Sequence, residues 1–473
     1  MLKKIHVLRC NSARFSVGQR SAKRRERMMT MRKKVLVFTA GLLFLLSGFA
    51  HASVFDMFGV DATGIAMGNA RTGSADDWTA TYYNPAGITQ TKESEGVNFL
   101  VAVNHLSVKP FGNGLQNNDN KDIEGISVGM THTFIADFIH VGISFYTPLG
   151  DTQQQITHYA DPSEAFLTNK LYFEFLENTT EQQVILPTLA FRVLPFLSIG
   201  GGISLFIKSM TYSHEYFPNP LNQSVWYMNL SNTQQYTYVA NVGILFHPSN
   251  RFKVGFSYMS ADDFPIVGAA FVHLNNVQGL PIAGNFTQTI NTILFYSPAH
   301  ASLGVMYKPL ENLELNGDIT WVGYSSYIDN HDVRPQNESY TDPSTGVTYT
   351  GQGFNDIYIP KLGVAYKPVE TVCLMGGYEY IPTPVPPQMR MTNYVDNVKN
   401  VLSTGVSYIM PYEEGHIHFT VDFQGIILGD RKTYKAIAVD ADPNTAGIQN
   451  PGYPGYESKG YIYDAGFAIS YER

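Results

Sequence analysis

Residues 59–89 read GVDATGIAMGNARTGSADDWTATYYNPAGIT. This stretch is rich in glycine and alanine, and it follows neither the 3.6-residue period of a helix nor the two-residue period of a strand. Asp76 and Asp77 are suited to cap a short helix, and Asn-Pro-Ala-Gly at 84–87 predicts a turn. A segment of this composition cannot form a hydrophobic core of its own. We therefore expect it to pack inside another structure.

Strands with two unlike faces dominate the rest of the chain. One face of residues 416–424 comprises Ile417, Phe419, Val421 and Phe423. The other face comprises His416, His418, Thr420, Asp422 and Gln424. A soluble core would exclude the second face, whereas a water-filled lumen would accept it, so the first face is predicted to meet lipid. The same alternation marks residues 139–145, 252–258 and 461–471.

The connections between these strands alternate in length. Short turns are predicted at 136–138, 194–196, 247–250, 308–312, 367–370 and 411–414. Long connections are predicted at about 109–123, 151–180, 213–232, 261–297, 325–353, 382–399 and 429–458. This alternation predicts an all-β fold, a transmembrane antiparallel β-barrel of about 14 strands with both termini on the periplasmic side.

The N-terminal 52 residues read as a leader. Residues 1–30 are basic, which is compatible with a twin-arginine signal but better explained by an assigned start codon upstream of the true one. From Met31, three basic residues precede the apolar run 35–49 and the Ala50-His51-Ala52 motif, which is the pattern of a secretory signal peptide. The apolar run is short for a membrane anchor, which needs about 20 residues.

Removal of the leader makes the remaining chain strongly acidic. It leaves 20 basic against 39 acidic residues, a net charge of −19, so we expect no binding of nucleic acid. Cys10 is lost with the leader, and the remaining Cys373 cannot form an intramolecular disulfide. The sequence contains 41 glycines, 30 tyrosines and 29 phenylalanines with only 15% charged residues, a composition suited to a closed barrel in lipid. We expect no cofactor.

Two motifs carry a resemblance to a known family. The segments AMGNA (66–70) and ADDWTATYYNPAGIT (75–89) resemble the N-terminal hatch of the FadL family of outer-membrane transporters for long-chain fatty acids and aromatic hydrocarbons. LNGDITWVGYSSY (315–327) is similar to a strand that this family carries. The chain departs from the family at Trp78, where a small residue is usual, and at its end, where Tyr471 is followed by two charged residues.

The resemblance implies functional roles for particular residues. Hatch or gating residues would be Asp76, Asp77, Tyr83, Asn84, Pro85 and Ala86. The connections 151–180 and 261–297 are too apolar for merely solvated loops, and they either form an outer groove for apolar ligands or pack together as a cap, two compatible interpretations. Candidate ligand-binding residues there are Phe166, Phe173, Phe264, Phe271, Leu274, Ile282, Phe286, Ile290, Leu294 and Phe295.

Two alternatives compete with a hydrophobic-compound transporter. A general polar porin is the first, and an outer-membrane barrel hydrolase is the second. His416, His418 and Asp422 share a face, but no serine is fixed near them, and a pair of histidines without a third ligand is an incomplete metal site. We therefore expect neither an enzyme nor a metal protein.

The sequence thus predicts three parts: a signal peptide at 1–52, a hatch at 53–94 inside the lumen, and a barrel at 95–473. The predicted function is passive uptake of hydrophobic compounds, namely long-chain fatty acids or aromatic hydrocarbons, across a Gram-negative outer membrane. Expected partners are these small molecules, outer-membrane lipid and lipopolysaccharide, and the barrel assembly machinery. We expect a monomer.

Signal peptidase cleaves after a motif such as Ala50-His51-Ala52, so we predict that the exported protein begins at Ser53. Intact-mass and N-terminal peptide mass spectrometry on membrane-extracted protein measure this end directly. Retention of Met1 or Met31 in the membrane-inserted form would contradict the prediction.

Overall fold

Fourteen antiparallel strands close on themselves as a barrel in the computed structural model of the chain. The structure describes residues 57–111, 117–119, 122–135, 138–149, 183–208, 213–218, 225–231, 235–274, 284–327, 339–341, 348–350, 353–387, 394–435 and 454–473. The predicted leader and the proposed N-terminus at Ser53 lie outside these residues.

The described residues contain 21 strands, of which fourteen form the wall. The strands are β1 (Glu93–Pro110), β2 (Asn117–Asp119), β3 (Asp122–Ile135), β4 (Ile139–Leu149), β5 (Gln183–Leu194), β6 (Leu197–Lys208), β7 (Ser213–Pro218), β8 (Val225–Ser231), β9 (Gln235–Ser249), β10 (Phe252–Met259), β11 (Asp262–Leu274), β12 (Gly284–Ser297), β13 (His300–Leu310), β14 (Leu313–Val322), β15 (Ser339–Thr341), β16 (Thr348–Thr350), β17 (Ile357–Val369), β18 (Val372–Ile381), β19 (Lys399–Tyr412), β20 (Gly415–Tyr434) and β21 (Gly455–Glu472).

The wall closes through β1, which pairs on one side with β3 and on the other with β21. Around the wall the order is β1, β21, β20, β19, β18, β17, β14, β13, β10, β9, β6, β5, β4 and β3. At the seam, the backbone N–H of Arg473 donates to the carbonyl of Glu93 at 2.8 Å, and Arg473 lies 2.9 Å from the Glu414 carboxylate. Closure satisfies the backbone groups that an open edge would leave unpaired in lipid. The predicted barrel of about 14 strands is confirmed.

The predicted faces of the wall strands are also confirmed. On β20, Val421 and Phe423 are 55% and 49% exposed on the outside, whereas Asp422 and Gln424 are 2% and 0% exposed. The same alternation holds along β10 and β21. On β4, the apolar residues are partly exposed as far as Ile143, but Phe145 at the end of the run is only 5% exposed.

The short turns connect wall strands at one rim, which is also where β1 begins and β21 ends. Tyr307 and Tyr366 end the outward alternation of β13 and β17 and are 50% and 42% exposed. Each of these tyrosines is followed by Lys-Pro, which begins the turn, and a tyrosine at the end of a strand fits an aromatic girdle at the rim.

The long connections are more structured than the sequence analysis predicted. The segments 213–232 and 261–297, expected as loops, contain β7, β8, β11 and β12, which form a separate four-stranded sheet in the order β12, β11, β8, β7. β11 and β12 are rich in β-branched and aromatic residues, which favour strands once a neighbour is available for pairing. Within 325–353, β15 pairs with β16. Within 109–123, β2 pairs with the part of β1 that lies beyond the β1–β3 pairing.

Helices are short in the described part of the chain. None of them has the length and apolar character needed to cross a membrane.

The two faces of β20 predict opposite responses to a charge. Val421→Arg places a guanidinium on the outer face, and we expect it to destabilise the barrel by about 2–4 kcal/mol near mid-depth. His418→Arg, on the inner face of the same strand and 3.9 Å from the Glu472 carboxylate, is the matched control and should fold normally. Heat-modifiable migration on gels measures the folded fraction, and an equal loss in both variants would contradict the face assignment.

Candidate functional site

Residues 57–91, hereafter the lumenal segment, fold into three short helical turns. Helix α1 spans Ala62–Ala66, and the Asp61 carboxylate caps it by accepting the Gly64 N–H at 2.8 Å. Helix α2 spans Ala80–Tyr83, and a 3-10 helix spans Pro85–Thr89. Small residues and local caps thus replace the periodic apolar face that a longer helix would need.

The local predictions for this segment need two corrections. Asp77 accepts the backbone N–H of Thr79 at 2.8 Å just before α2, but Asp61 makes the side-chain N-cap that belongs to α1. The predicted turn at 84–87 is the start of the 3-10 helix, with Asn84 as its N-cap and Pro85 at its first position. Proline fits there because the first helical N–H has no intrahelical partner.

The lumenal segment is buried against the inner face of the wall. Its apolar side chains are almost wholly removed from solvent: Phe58, Val60, Ile65, Met67, Trp78 and Ile88 are each at most 1% exposed. All of these except Met67 form a cluster with inward-facing residues from several wall strands, including Leu100, Leu186 and Ile426, and Met67 packs in a second cluster with Cys373 and Met375 of the wall. The core therefore lies between the segment and the wall.

Glycines on the wall strands allow the backbone of the lumenal segment to approach closely. A Cβ at Gly255 would lie 1.9 Å from the Thr72 carbonyl oxygen, and one at Gly377 would lie 2.0 Å from the Gly68 nitrogen. Gly200 and Gly243 are in the same position beside Pro85 and Asn84. Similar close contacts occur at Gly96, Gly129, Gly363 and Gly405. A side chain at any of these glycine positions would clash with the lumenal segment, so the segment or the wall strand would have to move.

Trp78, the departure from the family pattern, is accommodated by two of these glycines. Its indole ring is 1% exposed and lies where a Cβ of Gly96 on β1 or of Gly129 on β3 would be placed, at 2.3 and 2.1 Å. The Trp78 backbone N–H donates to Ser94 Oγ at 3.1 Å. The two glycines thus leave room for the indole ring, and a small residue at 78 would not need that room.

Hydrogen bonds attach the segment to strands all around the wall. Backbone groups of the segment bond to side chains of β1, β3, β9 and β14, through Asn98, Ser127, Asn241 and Asp318, at 2.8–3.1 Å. Side chains of the segment reach β4 and β6, where Thr81 and Thr89 contact Ser144 and Ser198 at 2.7 Å. The Thr89 carbonyl also accepts from Arg192 on β5.

The six predicted gating residues lie together in this segment. Asn84 is fully buried, and its Nδ2 donates to the carbonyls of Thr72 at 2.9 Å and Ile244 at 3.1 Å, while its Oδ1 accepts from the N–H of Ala86 at 3.2 Å. Pro85 packs against Gly200 and Gly243. Asn84 therefore joins two parts of the segment to β9.

The charged members of the set are paired. Asp77 binds Arg71 at 2.8 Å, with both side chains buried, and Asp76 lies 3.3 Å from Lys253 on β10. Burial alone would raise the pKa of Asp76, but the positive charges of Lys253, Arg71 and Lys308 outweigh it and hold that pKa below its ordinary value. In Asp61, burial and then the nearby Asp77 charge raise the carboxyl pKa.

A cavity lies between the lumenal segment and the wall. Its volume is about 170 Å³, and part of it is open to solvent. Met57, Tyr82 and Tyr83 line it from the segment. The apolar wall residues that line it are Val322, Tyr324, Ile357, Ile359, Ile381 and Ile426. Its polar lining includes Lys361, Glu379, Lys399 and several hydroxyl groups. A concave, partly open space with apolar walls and convergent polar groups can hold a small molecule.

A polar network connects the cavity wall to the lumenal segment. Lys361 Nζ lies 3.1 Å from Glu379 Oε1, and Asn69 Nδ2 donates to Glu379 Oε2 at 3.5 Å. Asn69 Oδ1 in turn accepts from the Tyr83 hydroxyl at 2.7 Å, and that hydroxyl accepts from the Val60 N–H at 3.3 Å. Tyr83, a predicted gating residue, therefore lines the cavity and belongs to the network.

The sequence of this chain matches a known protein family, and its fold matches solved structures. The family model of the outer membrane protein transport proteins (OMPP1/FadL/TodX) matches residues 43–424. The chain belongs to this family. The barrel of a Pseudomonas aeruginosa FadL homologue is similar, with 15% identity, a TM-score of 0.58, and coverage of 90% of this chain and 99% of that one.

Two toluene transporters share the FadL/TodX fold at similar distance. TodX of P. putida has 13% identity and a TM-score of 0.55 over 88% of this chain and 99% of that one. TbuX of Ralstonia pickettii has 14% identity and a TM-score of 0.51 over 89% and 100%. At this level of identity the likeness concerns the fold. No curated protein sequence matches the chain.

The predicted ligand-binding residues of the outer connections stay predictions. Phe166, Phe173 and Ile282 lie outside the described residues. The structure describes only the strand backbone, in β11 and β12, for Phe264, Phe271, Leu274, Phe286, Ile290, Leu294 and Phe295.

The sequence analysis missed the wall residues of the cavity. Ile357, Ile359 and Lys361 alternate with the exposed Tyr358 and Leu362, so the inward face of β17 could have been read from the sequence. Its partner Glu379 could not, because the pairing of residues 361 and 379 depends on the register between β17 and β18.

The structure adds two neighbours to the rival hydrolase or metal arrangement, because Ser470 of β21 is the cross-strand partner of His418 and Glu472 is that of His416. The rings of His416 and His418 are 6.5 Å apart, and His418 Nε2 lies 3.9 Å from Glu472 Oε2. Among the described residues, no group of three or more His, Cys, Asp or Glu side chains is arranged to hold a metal ion. The FadL/TodX family is a family of transport proteins.

The glycine contacts predict that a single methyl group loosens the lumenal segment. Gly255→Ala would bring a Cβ within 1.9 Å of Thr72 O, so we expect the segment to shift at a cost of about 1–3 kcal/mol while the wall still folds. Gly201→Ala is the matched control, because the nearest atom to its Cβ would be 3.5 Å away. Planar-bilayer conductance should rise for Gly255→Ala alone, and equal conductance in wild type and both variants would contradict the prediction.

Proposed function

We propose that this protein carries hydrophobic compounds, in the class of long-chain fatty acids or aromatic hydrocarbons, passively across the outer membrane. The observation that carries the proposal is the cavity between the lumenal segment and the wall, lined by Ile357, Ile359, Ile381 and other apolar side chains. Apolar molecules are poorly served by polar water-filled pores, whereas a cavity with apolar walls favours them by burial of apolar surface.

The lumenal segment acts as a hatch in this proposal. It is buried, it bonds to strands around the wall, and it forms one side of the cavity. An open polar porin would need a continuous aqueous path, and the packing of Phe58, Val60 and Ile88 opposes such a path. In this proposal residues 53–94 are the hatch and 95–473 the barrel, with the first wall strand, β1, already beginning at Glu93.

Capture would take place at the outer rim, and release would take place at the hatch or the wall. The apolar connections 151–180 and 261–297 would collect ligand at the outer rim, and the predicted aromatic residues there would contact it. Release would follow a movement of the hatch or pass through a lateral gap in the wall. In the same proposal the leader directs export, the barrel assembly machinery inserts a monomer, and lipid and lipopolysaccharide surround the wall.

Uptake should depend on the hydrogen bonds of Asn84. Asn84→Ala leaves the carbonyls of Thr72 and Ile244 and the N–H of Ala86 without these partners, which costs about 1–3 kcal/mol for a buried group. We expect a folded barrel with altered uptake of radiolabelled toluene or dodecanoate in a strain lacking its own transporter. Asn312→Ala, in an exposed turn, is the control.

Two outcomes would contradict the proposal. A large steady ion current through the wild-type protein in planar bilayers would indicate a porin. Failure of the wild-type protein to increase uptake of any apolar compound over a strain without it would remove the transport function. If Asn84→Ala folds and matches wild type in uptake and conductance, the hatch role of this residue is wrong.

A further inference from the structure

Every charged side chain that lines the cavity has a partner of opposite sign. Lys361 Nζ lies 3.1 Å from Glu379 Oε1, and Lys399 Nζ lies 2.5 Å from Asp396 Oδ1. The second oxygen of Glu379 accepts from Asn69 Nδ2. Among the described residues, the cavity therefore presents balanced charge to a ligand.

The Lys361–Glu379 pair is fixed by the fold. The two residues are direct cross-strand partners on β17 and β18, and their side chains are 17% and 6% exposed. A nearby cation, Arg431 on β20, is occupied as well: its guanidinium donates to the backbone carbonyls of Val385, Pro386 and Asp396 at 2.6–3.0 Å. A ligand carboxylate would have to compete with one of these partners.

We propose that Glu379 is a specificity-determining residue, which makes the cavity favour uncharged apolar molecules over carboxylates of the same size. The inference rests on the proposed transport function. Glu379 already neutralises the positive charge of Lys361. A ligand carboxylate beside Lys361 would therefore add a second negative charge next to a single positive one. One negative charge would then remain uncompensated in a mainly apolar space, where unpaired charges are strongly disfavoured. A hydroxyl or an aromatic ring brings no such charge.

The test compares 1-octanol with octanoate, which differ mainly in charge at pH 8. Titration calorimetry on the purified full-length protein in an uncharged detergent should give about tenfold or more tighter binding of 1-octanol. Glu379→Gln keeps the shape and an acceptor for Asn69 but frees Lys361. We expect this variant to bind octanoate about tenfold more tightly, with about twofold or less change for 1-octanol. Comparison between variants cancels the partitioning of each ligand into detergent.

Two further variants separate charge from packing. Glu314→Gln removes the carboxylate from a similar pair with Lys308, at 3.1 Å, whose members do not line the cavity, and it should leave both affinities unchanged. In the double variant Lys361→Met/Glu379→Gln the freed cation is gone, so the gain for octanoate should disappear. If Glu379→Gln does not fold, Glu379→Ala removes the same carboxylate and should give the same gain for octanoate relative to the wild type.

The outcomes distinguish this inference from the proposed function. Equal affinity of the wild type for both ligands, an unchanged ratio in folded Glu379→Gln, or the same shift in Glu314→Gln would overturn the role of Glu379 while leaving hydrophobic transport intact. Binding of neither ligand by the wild type, together with no uptake of either, would overturn the proposed function and this inference with it.

Discussion

The close approach of the lumenal segment to glycines of the wall is the contact on which the rest of this structure depends. A barrel of fourteen strands encloses more space than its own inward side chains fill, and the segment occupies part of that space. Gly255 and Gly377 bring its backbone within about van der Waals distance of theirs. Fixed donors and acceptors such as Asn98 and Asp318 can then reach backbone groups of the segment without intervening side chains.

That arrangement also explains the mixed character of the inner face. Asn241 and Ser127 would be unfavourable in an apolar core, yet each bonds to a backbone carbonyl of the segment and so avoids the cost of an unpaired buried group. Individual bonds of this kind are weak, and their number around the wall keeps the segment in place. In the proposed function, loss of a few of these contacts would loosen the segment without unfolding the wall.

The sequence predicted those features that depend on local pattern. Alternation along β20, with Val421 outside and Asp422 inside, indicated the wall, and the composition of 59–89 indicated an internal segment. Features that depend on register or on tertiary pairing were not predictable. The strands β11 and β12 looked like a loop because their alternation is irregular, although they pair with each other as consecutive strands. The Lys361–Glu379 contact required the exact offset between β17 and β18, which turn lengths leave open by one or two residues.

Because the cavity is shared, ligand binding and the position of the lumenal segment are thermodynamically linked. Tyr83 and Asn69 line the cavity and also hold the segment to itself and to Glu379. A ligand that contacts these side chains has different free energies for the seated and the displaced segment, and it shifts the equilibrium between them by that difference. A ligand that fits the cavity without disturbing the Asn69 contacts would stabilise the seated lumenal segment. A ligand large enough to displace Tyr83 would favour the displaced segment. In the proposed function, the size and shape of the ligand would therefore matter for transport as well as its affinity.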